Sequence, residues 1–113
     1  MVNKNPIAEK VIGLAGGVGN STLAHLVAPG ELPAKAGLLA VATLEPGSSV
    51  GYHKHEGEGE LYYILSGDGE YTEDGVMTPV SAGMATYVYN EHSHGLVNTG
   101  KTTMTFVAVI VKE

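Results

Sequence analysis

Apolar residues along this chain come in short runs at close, even intervals, and each run ends in turn chemistry. The turns are marked by Pro29-Gly30, Pro46-Gly47, Gly67-Asp68-Gly69, Asp74-Gly75 and Asn98-Thr99-Gly100. Asp-Gly is a favoured two-residue hairpin turn, because both central positions need positive φ. The runs between the turns are rich in β-branched residues and Tyr, which suit pleated, half-buried surfaces. They predict strands at Ser21–Val27, Gly37–Leu44, Val50–His55, Glu60–Leu65, Glu70–Glu73, Met77–Val80, Ala85–Tyr89, His94–Val97 and Thr103–Val111. TTMTFVAVIV near the end is long enough for a helix. Its Thr and Val content, with Gly100 before it and no cap, favours a strand.

Only two short windows, Pro6–Lys10 and Glu31–Lys35, suit a helix. No repeat, low-complexity tract or linker divides the 113 residues, so one domain spanning 1–113 is expected. Within it, residues 1–20 form an N-terminal segment with a Gly-rich turn. Many short strands in one all-β domain point to a closed barrel or a sandwich, which hides strand edges.

Composition narrows the function. Gly (16) and Pro (5) supply the turns, and 43% apolar residues supply a core. The formal net charge is -6, all six basic residues are Lys, and there is no Arg. No basic stripe marks a nucleic-acid surface, and no polybasic patch marks a membrane surface. Seven of the twelve acids lie between Glu56 and Asp74, where solvated turns account for most of them. With no Cys, disulfides and thiolate chemistry are excluded. MVNKNPIAEK lacks the apolar core of a signal peptide, and no run approaches a membrane span, so a cytoplasmic location is expected.

GGVGNST, residues 16–22, superficially resembles a phosphate-binding loop. That loop needs G-x-x-x-x-G-K-[ST]. Here Leu14 stands at the first Gly and Asn20 at the Lys, while Ala15 stands where a variant form has a second Lys. The strand expected after it is also the wrong partner for a phosphate loop, which opens a helix. A glycine turn feeding a strand is the expectation instead.

GSSVGYHKHEGEGELYYILSG carries the chemistry. His53 and His55, two apart on a strand, point to one face, and Lys54 between them points to the other. Glu60 heads the next strand, across the EGEG segment. His92 and His94 follow some forty residues later. Imidazole and carboxylate together ligate divalent transition metals.

These residues resemble the two motifs of the cupin family. Gly47, His53, His55, Glu60 and Gly67 fit G-x5-H-x-H-x3-4-E-x6-G. Gly83, His94 and Asn98 fit G-x5-P-x-G-x2-H-x3-N, although Tyr89 replaces its Pro and Glu91 its second Gly. The resemblance covers roughly residues 38–111. It implies an all-β jelly-roll barrel, the double-stranded β-helix, in which a six-stranded sheet packs on a second sheet. It also implies one divalent transition metal (manganese, iron, nickel, zinc, cobalt or copper) on His53, His55, Glu60 and His94. Pairing as a homodimer through the N-terminal strand is a further implication.

Such a site would leave coordination positions for a small-molecule ligand. A metal-dependent enzyme is the first expectation, with dioxygenase chemistry ahead of isomerase or decarboxylase; the alternative is a non-catalytic binding or sensor role with the metal as anchor. Glu60 is a ligand first and a base second. Without Arg there is no bidentate clamp for a carboxylate, which favours a neutral or weakly acidic ring compound, a diketone or a sugar over oxalate or another small dicarboxylate. Tyr52, Tyr62, Tyr87, Met84, Met104 and Phe106 are candidates for the pocket wall or for plain core. His92 is a candidate for the pocket, the metal's surroundings or the surface. His25 is expected to be structural, and Asn98 to support its turn.

Overall fold

The computed structural model describes residues 1–113. Ten strands run in chain order: β1 Ala8–Ile12, β2 Asn20–His25, β3 Ala36–Leu44, β4 Ser49–Lys54, β5 Glu58–Ser66, β6 Asp68–Glu73, β7 Val76–Ser81, β8 Ala85–Val88, β9 Ser93–Asn98 and β10 Met104–Lys112. They form a six-stranded sheet, β1-β2-β3-β10-β5-β8, and a four-stranded sheet, β4-β9-β6-β7. Every pairing is antiparallel. This is the expected all-β jelly roll. Its inner faces meet in one core that includes Leu44, Val50, Tyr62, Ile64, Leu96, Met104 and Phe106.

Alternation decides which residues enter that core. Ala40, Ala42 and Leu44 on β3, and Met104, Phe106 and Ala108 on β10, point inward and are buried. β6 and β7 turn through Asp74 and Gly75, both at positive φ (48° and 81°), as their Asp-Gly sequence predicts. Gly67 (φ 96°) leads β5 into β6 against β10, where a Cβ would come 2.9 Å from the Met104 Cα. That closeness explains why a glycine stands there.

Two expectations change. The window Pro6–Lys10 is not helical, because Ala8–Ile12 pairs with β2, with Ala8 opposite Ala24 and Ile12 opposite Asn20. As a mostly exposed edge strand, β1 shows no apolar alternation to read. Around Glu31–Lys35 there is only a 3₁₀ turn at Pro29–Glu31, begun by Pro29. No helix is long and apolar enough to cross a membrane.

The Gly-rich loop feeds β2, as expected, and is also part of the barrel wall. A 3₁₀ turn at Leu14–Gly16 lies on β4 with backbone against backbone. A Cβ on Gly17 would overlap the Ser49 carbonyl oxygen, and one on Gly51 would overlap that of Ala15. Ser49 Oγ accepts from Val18 N (3.0 Å) and Ser48 Oγ from Asn20 N (2.9 Å), which secures the crossing. The glycines here allow close approach between backbones.

Candidate metal centre

β4 and β9 place His53 directly opposite His94 on the inner face of the smaller sheet. His55 follows His53 on the same face, just beyond β4. Glu60 arrives from β5 of the larger sheet, so closing the barrel brings the four residues together. Their ligand atoms all lie within 4.8 Å of one another. The Nε2 atoms of His53 and His55 are 2.9 Å apart, and those of His55 and His94 are 3.0 Å apart. Glu60 Oε1 lies 3.2 Å from His94 Nε2 and 3.3 Å from His55 Nε2. Metal–ligand bonds of about 2.1 Å at right angles would separate neighbouring donors by about 3 Å. The observed separations have that size.

The outward nitrogens explain the convergence. His53 Nδ1 is 2.6 Å from the Gly51 carbonyl oxygen, which only accepts. His55 Nδ1 is 3.0 Å from Glu58 Oε1, which as a carboxylate also only accepts. His94 Nδ1 is 3.1 Å from the Tyr71 hydroxyl, and that hydroxyl is 3.0 Å from Glu73 Oε1. Each Nδ1 therefore carries a proton, so that each ring, when neutral, turns an Nε2 lone pair inward. Three lone pairs and a carboxylate oxygen facing one another, with no donor among them, are the complement of a cation. The donor set fits a divalent transition metal, which would be held by His53, His55, Glu60 and His94.

Burial reinforces this state. His94 is fully buried, and burial first of all lowers its pKa, against an opposing pull from Glu60. Tyr62 lies parallel to the His94 ring at 4.9 Å. Burial, then the Glu60 carboxylate, pushes its hydroxyl well above the usual phenol range and keeps it protonated.

A cavity of about 270 Å³ opens onto the cluster. His53, His55, Glu58 and Glu60 line one side. Leu23, Leu38, Phe106 and Ile110 of the larger sheet line the other, and Leu14 and Ala15 of the glycine loop close it. Among the expected wall residues, Tyr62 and Phe106 line this cavity. Tyr52, Tyr87, Met84 and His92 lie outside its lining. Tyr52 alternates outward beside His53 and is 55% exposed. Tyr87 pairs with Leu61 on the outer face and packs on Tyr89. Met84 is surface-exposed, and Met104 belongs to the core. His92 is exposed and bonded to the Asp74 carboxylate. Ser93's backbone N–H, then His92, hold that carboxyl below its ordinary value.

His25 sits on β2 apart from the cluster, with a buried Nδ1 that has no partner. Asn98 supports its turn as expected, donating to the carbonyls of Leu44 and Thr102 and accepting from Gly100 N. Lys54 borders the cavity mouth, but its ammonium pairs with Glu91 (3.3 Å) and Glu56 (3.7 Å) at the surface. Glu91 occupies the motif's second Gly position in the left-handed conformation (φ 74°). The turn keeps its shape with a non-glycine residue, and Glu91 N donates to the His55 carbonyl (2.9 Å).

Glu58, Tyr71 and Glu73 were not singled out in the sequence. Glu58 had a readable signal, a carboxylate three residues after a candidate ligand His. Tyr71 and Glu73 depend on the β6–β9 register, which no local pattern encodes.

The cupin domain model matches residues 40–110, and the chain belongs to that family. It is 44% identical over 103 residues to an oxalate-binding protein of Thermotoga maritima, covering 91% of this chain and 85% of that one. The crystal structure of a predicted oxalate decarboxylase from Thermotoga maritima superposes with a TM-score of 0.93 at 40% identity, over 100% of this chain and 99% of the other. A polyketide cyclase from Streptomyces resistomycificus shares the fold, with a TM-score of 0.77 at 24% identity over 96% and 75% of the two chains.

Proposed function

From that membership we propose that the chain binds one divalent transition metal on His53, His55, Glu60 and His94, and on it a compact oxygen-donor ligand. The observation that carries this reading is the set of four mutually facing donor atoms with separations of 2.9–3.3 Å between neighbours. The metal supplies Lewis acidity and, if redox-active, electrons.

The cavity limits the ligand. Its far wall is apolar and no Arg is present, so a carboxylate held away from the metal would be buried without a partner. A ligand with both oxygens on the metal escapes that penalty. Oxalate, for which the Thermotoga maritima relative is named, is such a ligand and comes first. This departs from the expectation drawn from the sequence, where the absence of Arg disfavours any small dicarboxylate; with both oxygens on the metal, that absence counts only against longer ones. An enol or a diketone satisfies the same geometry.

Binding without turnover ranks ahead of catalysis, because Glu60 is a metal ligand and Glu58 is committed to His55. Turnover, as a decarboxylase, isomerase or dioxygenase, is the second reading. It draws on Glu58, whose carboxylate borders the cavity and is 30% exposed. Calorimetric titration of oxalate into metal-loaded and metal-free protein tests the first reading. Binding to the loaded form alone supports it. Equal binding to both, or none to either, counts against it. Carbon dioxide release or oxygen uptake on the same sample would move the weight to turnover.

Association as a homodimer is part of the proposal. β1 is a free edge, and the outer face of the larger sheet carries the cross-strand row Val41, Val107 and Tyr63. Uncharged rows of this kind suit a second sheet better than water. Sedimentation equilibrium giving only the monomer mass would remove this part.

A further inference from the structure

Each ligand histidine has a different partner behind it. Behind His53 is a backbone carbonyl, and behind His55 a carboxylate in direct contact. Behind His94 is a two-step chain in which Tyr71 stands between the ring and Glu73. The register makes this arrangement rigid. Glu73 lies directly opposite His94 across the β6–β9 ladder, and Tyr71, two residues earlier, shares its face.

We infer that Tyr71 and Glu73 form a positioning pair, which locks His94 in its metal-binding tautomer and carries Glu73's negative charge to the back of the ring. This rests on the metal-binding reading above. The bond directions follow from chemistry. An ionised carboxylate only accepts, so the Tyr71 O–H donates to Glu73. The hydroxyl's lone pair is left for the His94 N–H, which puts that proton on Nδ1 and frees Nε2. Tyr71 is buried (5% exposed) and its ring sits edge-on to His94 at 5.6 Å, and the buried Thr86 hydroxyl is a further neighbour of its oxygen. Partners placed behind metal-ligating imidazoles typically govern metal affinity by about 10- to 100-fold. Neither residue touches the cavity, so both act through His94.

The test compares wild type, Tyr71→Phe, Glu73→Gln and, as a charge control, Glu70→Gln on the same strand. Zinc affinity is measured by competition with a chromophoric chelator. The His94 tautomer is read from imidazole 15N shifts in the metal-free and zinc-loaded protein. The expected result is a loss of about 10- to 100-fold in affinity for Tyr71→Phe. A smaller loss is expected for Glu73→Gln, which keeps the hydroxyl link and removes the charge, and no change for Glu70→Gln. Metal-free wild type should show a protonated Nδ1 and a bare Nε2 on His94, and Tyr71→Phe should show a mixture. If Tyr71→Phe does not fold, Glu73→Gln against Glu70→Gln decides. Affinities for Tyr71→Phe and Glu73→Gln within twofold of wild type, or an Nε2-protonated His94 in the wild type, overturn the inference. If the wild type binds no zinc, the metal reading fails, and the metal-free spectrum still judges the Tyr71–His94 link.

Discussion

His53 and His94 sit directly opposite each other across the β4–β9 ladder, although 41 positions separate them in the sequence. That pairing fixes two of the four donors on one stiff surface, and barrel closure adds Glu60 from the other sheet. Replacing His53 or His94 with Ala should lower metal affinity by at least about 100-fold. His92→Ala, at an exposed position outside the cavity lining, should change it by less than about twofold. Elemental analysis after dialysis, with chelator competition, reads the difference.

Glu58 holds the Nδ1 proton of His55. Glu58→Gln keeps an acceptor of the same size and removes its charge. Metal affinity should fall by about tenfold while the fold is retained. Unchanged affinity, measured by the same competition, would show that the contact is incidental.

Glu91 bears a left-handed backbone conformation that glycine adopts without strain. Glu91→Gly should relieve about 1 kcal/mol of that strain. It also gives up an exposed ion pair with Lys54, worth about 0.5 kcal/mol or less. The expected outcome is a thermal midpoint equal to or slightly above wild type. A drop of several degrees would show that the ion pair matters more than the backbone.

Gly17 and Gly51 bring two backbones together where no Cβ fits. Gly51→Ala should force β4 and the glycine loop apart and destabilise the protein by about 2 kcal/mol or more. Chemical denaturation measures this. An alanine tolerated without loss would mean that the loop is not packed against β4.

The lowered pKa of His94 sets a pH dependence for the metal-free protein. Below the ordinary imidazole value of about 6.5, the unfolded chain takes up a proton that the folded His94 still resists. The unfolded state then binds more protons, so stability is full above about pH 6.5 and falls as the pH drops through the folded-state value. Thermal melts from pH 7.5 to 5 should show this decline, and His94→Gln should flatten it.

Much of this architecture was legible in the chain because it is written locally. The turn pairs placed nine of the ten strands, and the HKH spacing put two histidines of the cluster on one face. β1 was missed because an exposed edge strand carries no alternation. The pocket wall was legible only in part. Tyr62 and Phe106 face inward, while Tyr52 and Tyr87 face outward, a difference set by strand phase rather than residue type. The glycine loop's role as a wall, and the residues behind the histidines, arise from contacts between distant segments. No short window contains them.

The most direct test of the account is the anomalous scattering of a crystal grown with manganese. The account predicts one strong peak per chain, about 2.0–2.3 Å from the Nε2 atoms of His53, His55 and His94 and from a carboxylate oxygen of Glu60. No peak among these four residues, or a peak held by other side chains, would contradict it.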